Sequence, residues 1–164
     1  MLSLVIIGAV FAVLIYSAVT DLHKRLIYNI APLAVLILGV VSLIALPNSA
    51  GWMAYATSFA IAVLVGCCLF FTGLMGGGDV KLYAALALHY PAAQLFDLSL
   101  ATVIAGAALA LVFGGVTFAN ATRPNAVGPV STTDADNPLR QALKTPIPYG
   151  CAILLGHAYM FWAG

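Results

Sequence analysis

Charge is what this chain has least of. Only 7% of its 164 residues are Asp, Glu, Lys or Arg, while 63% are hydrophobic. A soluble domain carries about 25% charged residues. Together with a mean hydropathy of +1.09, the shortage excludes a water-soluble globule and implies an integral membrane protein. Length then counts helices rather than sizing a water-driven core. A net charge of +1 leaves no basic footprint for nucleic acid. Cysteine is also scarce: Cys67, Cys68 and Cys151 lie in apolar runs and no CxxC occurs. That argues against a zinc or thioredoxin-like site and for small apolar packing residues. His23, His89 and His157 fall on different elements and sides without metal-ligand spacing, so each reads as interfacial or packed. No metal or cofactor is expected. The chain has no internal repeat, second domain or heptad pattern, and 1–164 reads as a single transmembrane domain.

What is present is oily sequence in blocks. A spanning helix needs about 20 mostly apolar residues. Five stretches qualify, near Leu2–Thr20, Ile30–Leu46, Trp52–Thr72, Leu98–Ala119 and Ile147–Trp162. A sixth, Val80–Tyr90, is apolar but covers only about half of a ~30 Å hydrocarbon core. The expected fold is all-α and integral to the membrane, with six transmembrane helices, the fourth short or broken. Gly66, Gly73, Gly106, Gly114 and Gly115 suit close helix packing. The first stretch has no basic region before it and no small-residue cleavage pattern after it, so it reads as a retained helix.

The six basic residues, Lys24, Arg25, Lys81, Arg123, Arg140 and Lys144, set the orientation. With six crossings, the Asp21–Asn29 loop, the Gly76–Lys81 turn and the Ala121–Thr145 loop share one side and hold all six. The turns Pro47–Gly51 and Pro91–Asp97 hold none. The positive-inside rule makes the first side cytoplasmic and puts both termini outside. The 121–145 segment, polar and carrying Pro124, Pro129 and Pro138, reads as a flexible cytoplasmic loop.

All five carboxylates are aspartates. Asp134 and Asp136 fall in the polar loop and read as solvated; Asp97, beside Ser99 at an outer turn, reads as an interfacial or capping residue. Asp21 and Asp79 differ. Each closes or opens a hydrophobic run on the cytoplasmic side and is followed by basic residues: His23, Lys24 and Arg25 in one case, Lys81 in the other. Either alone could end a helix at the headgroups, yet ionisable groups at membrane depth are expensive and point to function. Two facing carboxylates share one proton. The ionised member can draw a proton from water while the protonated one polarises a carbonyl, which is aspartic peptidase chemistry. Gly76–Gly78, just before Asp79, reads either as a plain turn or as backbone that lets an extended substrate approach and adopts φ > 0 to aim the carboxylate.

Gly76-Gly77-Gly78-Asp79 matches the GxGD signature, and Lys81 follows two residues on. The segment Asp21 to Asn29, DLHKRLIYN, carries an Asp, a basic turn and Ile-Tyr-Asn; Pro148-Tyr149-Gly150 opens the last apolar stretch. In order and spacing this resembles the type IV prepilin peptidases, GxGD-type membrane aspartyl proteases, most closely the short forms of the tight-adherence (Flp pilus) systems. Tyr28 stands where that family usually has Pro. The resemblance implies a GxGD aspartyl protease fold in the bacterial inner membrane, with Asp21 and Asp79 as the catalytic pair. It implies removal of short basic leaders from prepilins and pseudopilins at the cytoplasmic face, and possible contact with pilus assembly machinery. Methyltransferase activity, which goes with paired CxxC motifs in longer members, is not expected.

The family's substrates usually carry a Glu shortly after the cut, which Lys81, Lys24 or Arg25 could meet; Lys81 could equally anchor its turn to headgroups. Pro146–Gly150, with Pro148, Tyr149 and Gly150, either starts the last helix or forms an irregular strip along which substrate lies, and Gly76, Gly77 and Gly78 read as a substrate gate. Asn29 reads as the N-cap of the second helix. The competing functions are an archaeal preflagellin-type peptidase, a transporter or proton-relay subunit using the same aspartates, and a structural scaffold.

Overall fold

The computed structural model describes residues 1–24, 26–46, 50–121 and 149–163, with the side chains of 117–121 left aside. Six helices and no strand occur among them: α1 (Leu2–Lys24), α2 (Ile30–Ala45), α3 (Gly51–Phe71), α4 (Gly77–Ala87), α5 (Ala92–Ala121) and α6 (Tyr149–Ala163). α1, α3 and Ala92–Val116 of α5 are long and apolar enough to cross a membrane, and α2 is a shorter apolar helix. The protein is therefore an all-helical membrane protein. Its surface fits that solvent, since Ile44, Phe71, Leu111 and Trp162 are among the most exposed side chains.

α4 lies at the centre. Its 11 residues rise only about 16 Å, but Val80, Leu82, Ala84, Ala85, Leu86 and Ala87 are all buried. Alanine makes room for the neighbours, and Leu82 and Leu86 join Val10, Leu14, Val35, Leu98 and Ile153 in one core cluster. The α3–α4 crossing depends on Gly66, where a Cβ would stand 2.6 Å from Val80 Cγ1. α5 and α6 close similarly at Gly156, whose added Cβ would stand 3.0 Å from the Thr102 backbone nitrogen, and at Gly106 opposite Ala152. Gly73 and Gly115, expected as packing glycines, have nothing within 4 Å of a Cβ position.

Gly73 serves the backbone instead. It takes φ +73° just past α3, donates its amide to Phe70 O, and Leu74 donates to Leu69 O. This paired pattern ends a helix with a left-handed residue. The reversal before Asp79 is thus made at Gly73. Gly76, expected to need positive φ, is ordinary extended backbone at φ −71° and ψ 147°.

Two further expectations change. α5 starts at Ala92 rather than Leu98, because Pro91 is compatible with a helix start and its carbonyl accepts from the Gln94 amide. Asp97 therefore lies inside α5, not at a cap or turn. His89 and His157, expected on different sides, line one cavity of 450 Å³ with Ser3 and Tyr90. His157 Nδ1 lies 2.6 Å from Tyr90 Oη, and its ring packs on Phe11 with centroids 4.5 Å apart. His89 Nε2 donates to Val35 O at 3.1 Å. No group of three potential metal ligands forms among the described residues. The 121–145 loop lies outside them apart from Ala121, the last residue of α5.

Candidate active site

The aspartates gather at the opposite end of the bundle from that histidine cavity. On α1, Ile6, Val10, Leu14, Ser17, Ala18 and Asp21 are the buried positions. Their spacings of three and four form one helix face, so the same stripe that packs α1 carries Asp21 inward at its end. Asp21 is only 8% exposed. Its Oδ2 accepts a hydrogen bond from the Gly150 amide at 2.8 Å. Gly150 is the second residue of α6, so the carboxylate sits at a helix N-terminus. Unpaired amides and the helix dipole favour an anion there. The approach leaves no room for a side chain: a Cβ on Gly150 would lie 3.0 Å from Asp21 Oδ2, 3.2 Å from Asp21 Cβ and 3.4 Å from Ser17 O. Ser17 itself is fully buried and donates to Val13 O.

Asp79 is the third residue of α4, and Gly76 is the N-cap. Its carboxylate turns back to accept the Gly76 amide, the return half of a capping box. An added Cβ on Gly76 would stand 2.7 Å from Oδ2. Helix capping is thus one role of Asp79, but it occupies only part of the carboxylate. Oδ1 is buried and has no hydrogen-bond partner among the described residues. Leaving a buried polar atom unpaired costs free energy, so such an atom is a mark of function. The Asp21 carboxylate is close enough for its charge to act on Asp79. The fold therefore brings the two expected residues to the same end of the bundle, one from the end of α1 and one from the start of α4.

The glycine run permits this arrangement by lack of bulk. A Cβ on Gly78 would stand 3.1 Å from Ile27 Cβ and 3.3 Å from Ile27 O, so Gly78 lets α4 lie against the segment joining α1 to α2. A Cβ on Gly77 would stand 3.3 Å from the ring of Phe70. Of the cations expected to meet substrate, Lys81 and Lys24 have partners within the chain. Lys81 crosses to α2, where its Nζ donates to Asn29 Oδ1 at 3.2 Å. Asn29 makes no side-chain cap bond, so its predicted capping role gives way to this tie between helices. Lys24 donates to Tyr28 Oη at 3.2 Å and lies 5.6 Å from that ring's centroid. Tyr149 is half-buried at the first residue of α6. Arg25 and Pro148 lie outside the described residues.

Sequence reasoning missed the anchoring amide of Gly150, the Ile27–Gly78 contact and the Lys81–Asn29 tie. Only the small residue after Tyr149 hinted at the first, and nothing in the order of residues pairs positions 129 or 52 apart. Chemically, two carboxylates with one buried, unpartnered oxygen can exchange a proton with water and hydrogen-bond a carbonyl.

Comparison with known proteins agrees with that chemistry. No curated protein and no solved structure matches the chain. The family model for type IV leader peptidases matches residues 8–111, a span that includes both aspartates and the glycine run. With well over half its length matched, the chain belongs to the type IV leader peptidase family.

Proposed function

We propose that this protein is a membrane aspartic endopeptidase that removes the basic leader from Flp-type prepilins and pseudopilins at the cytoplasmic face of the inner membrane. Asp21 and Asp79 activate the water. The observation that carries the reading is the placing of two inward-facing carboxylates at one end of the bundle, each held by a backbone amide, with Asp79 Oδ1 buried and without a hydrogen-bond partner among the described residues.

The roles follow from elementary chemistry. Two carboxylates that approach closely share one proton. The ionised member takes a proton from water as the water oxygen bonds to the scissile carbonyl carbon. The protonated member hydrogen-bonds the carbonyl oxygen and delivers its proton to it, giving a gem-diol. Proton transfer to the amine nitrogen then lets the C–N bond break, releasing leader carboxylate and mature N-terminus, with the pair back to one proton. The pair titrates as a unit, so neither Asp is assigned a fixed role. The helix-end amides that hold one oxygen of each residue supply preorganisation, and the slim Gly76–Gly78 backbone lets Asp79, Phe70 and Ile27 pack closely around the start of α4. The cytoplasmic orientation is supported by the sequence, since six crossings would put all six basic residues on the side of Asp21 and Asp79.

The test is cleavage in membranes. The protein is co-expressed with a Flp-type prepilin, and the size shift of the prepilin is followed for wild type, Asp21→Asn and Asp79→Asn at equal membrane levels. Wild type is expected to cut and both variants to leave the full-length precursor. Cleavage by either variant would sink the paired-aspartate mechanism, and failure of wild type on several prepilins would favour a transporter or scaffold.

A further inference from the structure

A second cleft opens beside the aspartates. It is walled by α2, α3 and α4, encloses 640 Å³, and is lined by apolar side chains including Leu33, Leu36, Phe59 and Val63. Its polar groups are few: Asn29 and Lys81 line it together with Gly77, two residues from Asp79. A helix about 10 Å across occupies on the order of 400 Å³ per turn, so the cleft accepts one face of one to two turns. α4 explains why the space exists. It is short, and its cleft-facing positions Ala84 and Ala85 are small.

We propose that this cleft seats the membrane helix of the substrate, holding it so that the segment just outside the bilayer falls across Asp21 and Asp79. The inference rests on the peptidase reading above and adds where the uncut part of the precursor binds. Charge complementarity identifies the occupant. The cleft contains one cation, Lys81, which is exposed. Among the described residues no carboxylate lines the cleft with it, and Lys81 makes a hydrogen bond to the neutral Asn29 amide. The fitting ligand is an apolar helix bearing one carboxylate near its cytoplasmic end, able to take the ammonium from Asn29. Phe70 is half-exposed, lines the cleft and packs over Gly77, two residues from Asp79.

The chain carries its own probe, because Cys67 lines the cleft and is exposed, whereas the adjacent Cys68 is exposed but does not line it. Single cysteines are walked along the apolar helix of the precursor used in the cleavage assay. Disulfide formation is measured with the Asp79→Asn protein, which preserves uncut substrate, and with the same protein carrying Cys67→Ala. Cross-links are expected at positions recurring every three to four residues, retained with Cys68→Ala and lost with Cys67→Ala. Separately, Cys67→Trp is expected to raise KM for the full precursor about tenfold. It should leave cleavage of a leader peptide lacking the helix unchanged.

Cross-links that are absent, aperiodic or indifferent to Cys67 overturn the inference. So does undiminished labelling of Cys67 by a lipophilic maleimide at saturating precursor, which would mean that lipid fills the cleft. If wild type cleaves while these probes fail, only the docking site is wrong. If wild type cleaves nothing, the peptidase reading itself has failed.

Discussion

Gly150→Ala separates a residue that positions the catalytic pair from one that merely starts a helix. The added methyl would lie 3.0 Å from Asp21 Oδ2 and 3.2 Å from Asp21 Cβ. Ordinary contact begins near 3.4 Å, so the carboxylate or the start of α6 must retreat by a few tenths of an ångström. The 2.8 Å bond from the Gly150 amide lengthens as a result. Hydrogen bonds to charged groups contribute about 1.5–3 kcal/mol, and overpacking costs about 1–3 kcal/mol. Alanine returns up to about 1 kcal/mol through its helix propensity, so overpacking alone nets a loss of about 0–2 kcal/mol, to which any weakening of the hydrogen bond adds. Activity should suffer more. A 1 Å misplacement of reacting groups costs about 100-fold, so a shift of a few tenths should reduce kcat about tenfold. The assay is the rate of precursor cleavage in membranes, normalised to folded protein. Gly8→Ala is the control, since nothing lies within 4 Å of its Cβ position; it should leave cleavage unchanged and alter stability only by the gain of up to about 1 kcal/mol from helix propensity. Cleavage by Gly150→Ala within twofold of wild type would refute the claim that α6 holds Asp21 through this close approach.

Two other changes probe the scaffold. Gly66→Ala drives a methyl to 2.6 Å from Val80 Cγ1; it should destabilise the bundle by about 1–3 kcal/mol, seen as a lower melting temperature in detergent, and an unchanged melting point would mean that α3 and α4 are not locked there. Tyr90→Phe deletes the 2.6 Å contact to His157 Nδ1; it should cost about 0.5–1.5 kcal/mol and leave cleavage unaltered, whereas lost cleavage at full stability would tie the histidine end of the bundle to the reaction.

Much of the candidate site was legible because membrane sequences contain so few charges that each one is informative. Asp21 and Asp79 stood out against long apolar runs, and the glycines before Asp79 could be assigned to close approach. What the glycines do was only half readable. Gly78 admits Ile27, but the left-handed residue is Gly73, since a helix stop is defined by hydrogen bonds to Leu69 and Phe70 that the sequence does not display. Lys81 was read as a cation for substrate or headgroups; its partner is Asn29, on another helix. His89 and His157 appeared unrelated because the cavity they share is lined by segments that are far apart in sequence.

The sequence by itself determined that this is an α-helical membrane chain, that one helix is too short for the hydrocarbon core, and that the carboxylates worth noticing are Asp21 and Asp79. Those are matters of hydropathy, length and charge, all local quantities. Only the tertiary structure decided that the short helix is the buried centre, that the α6 terminus holds Asp21, and that Asp79 caps α4 with one oxygen while the other has no hydrogen-bond partner among the described residues. These depend on which helix surfaces meet. In lipid, that choice is made by small residues and backbone contacts between distant segments rather than by hydrophobicity, which all the helices share.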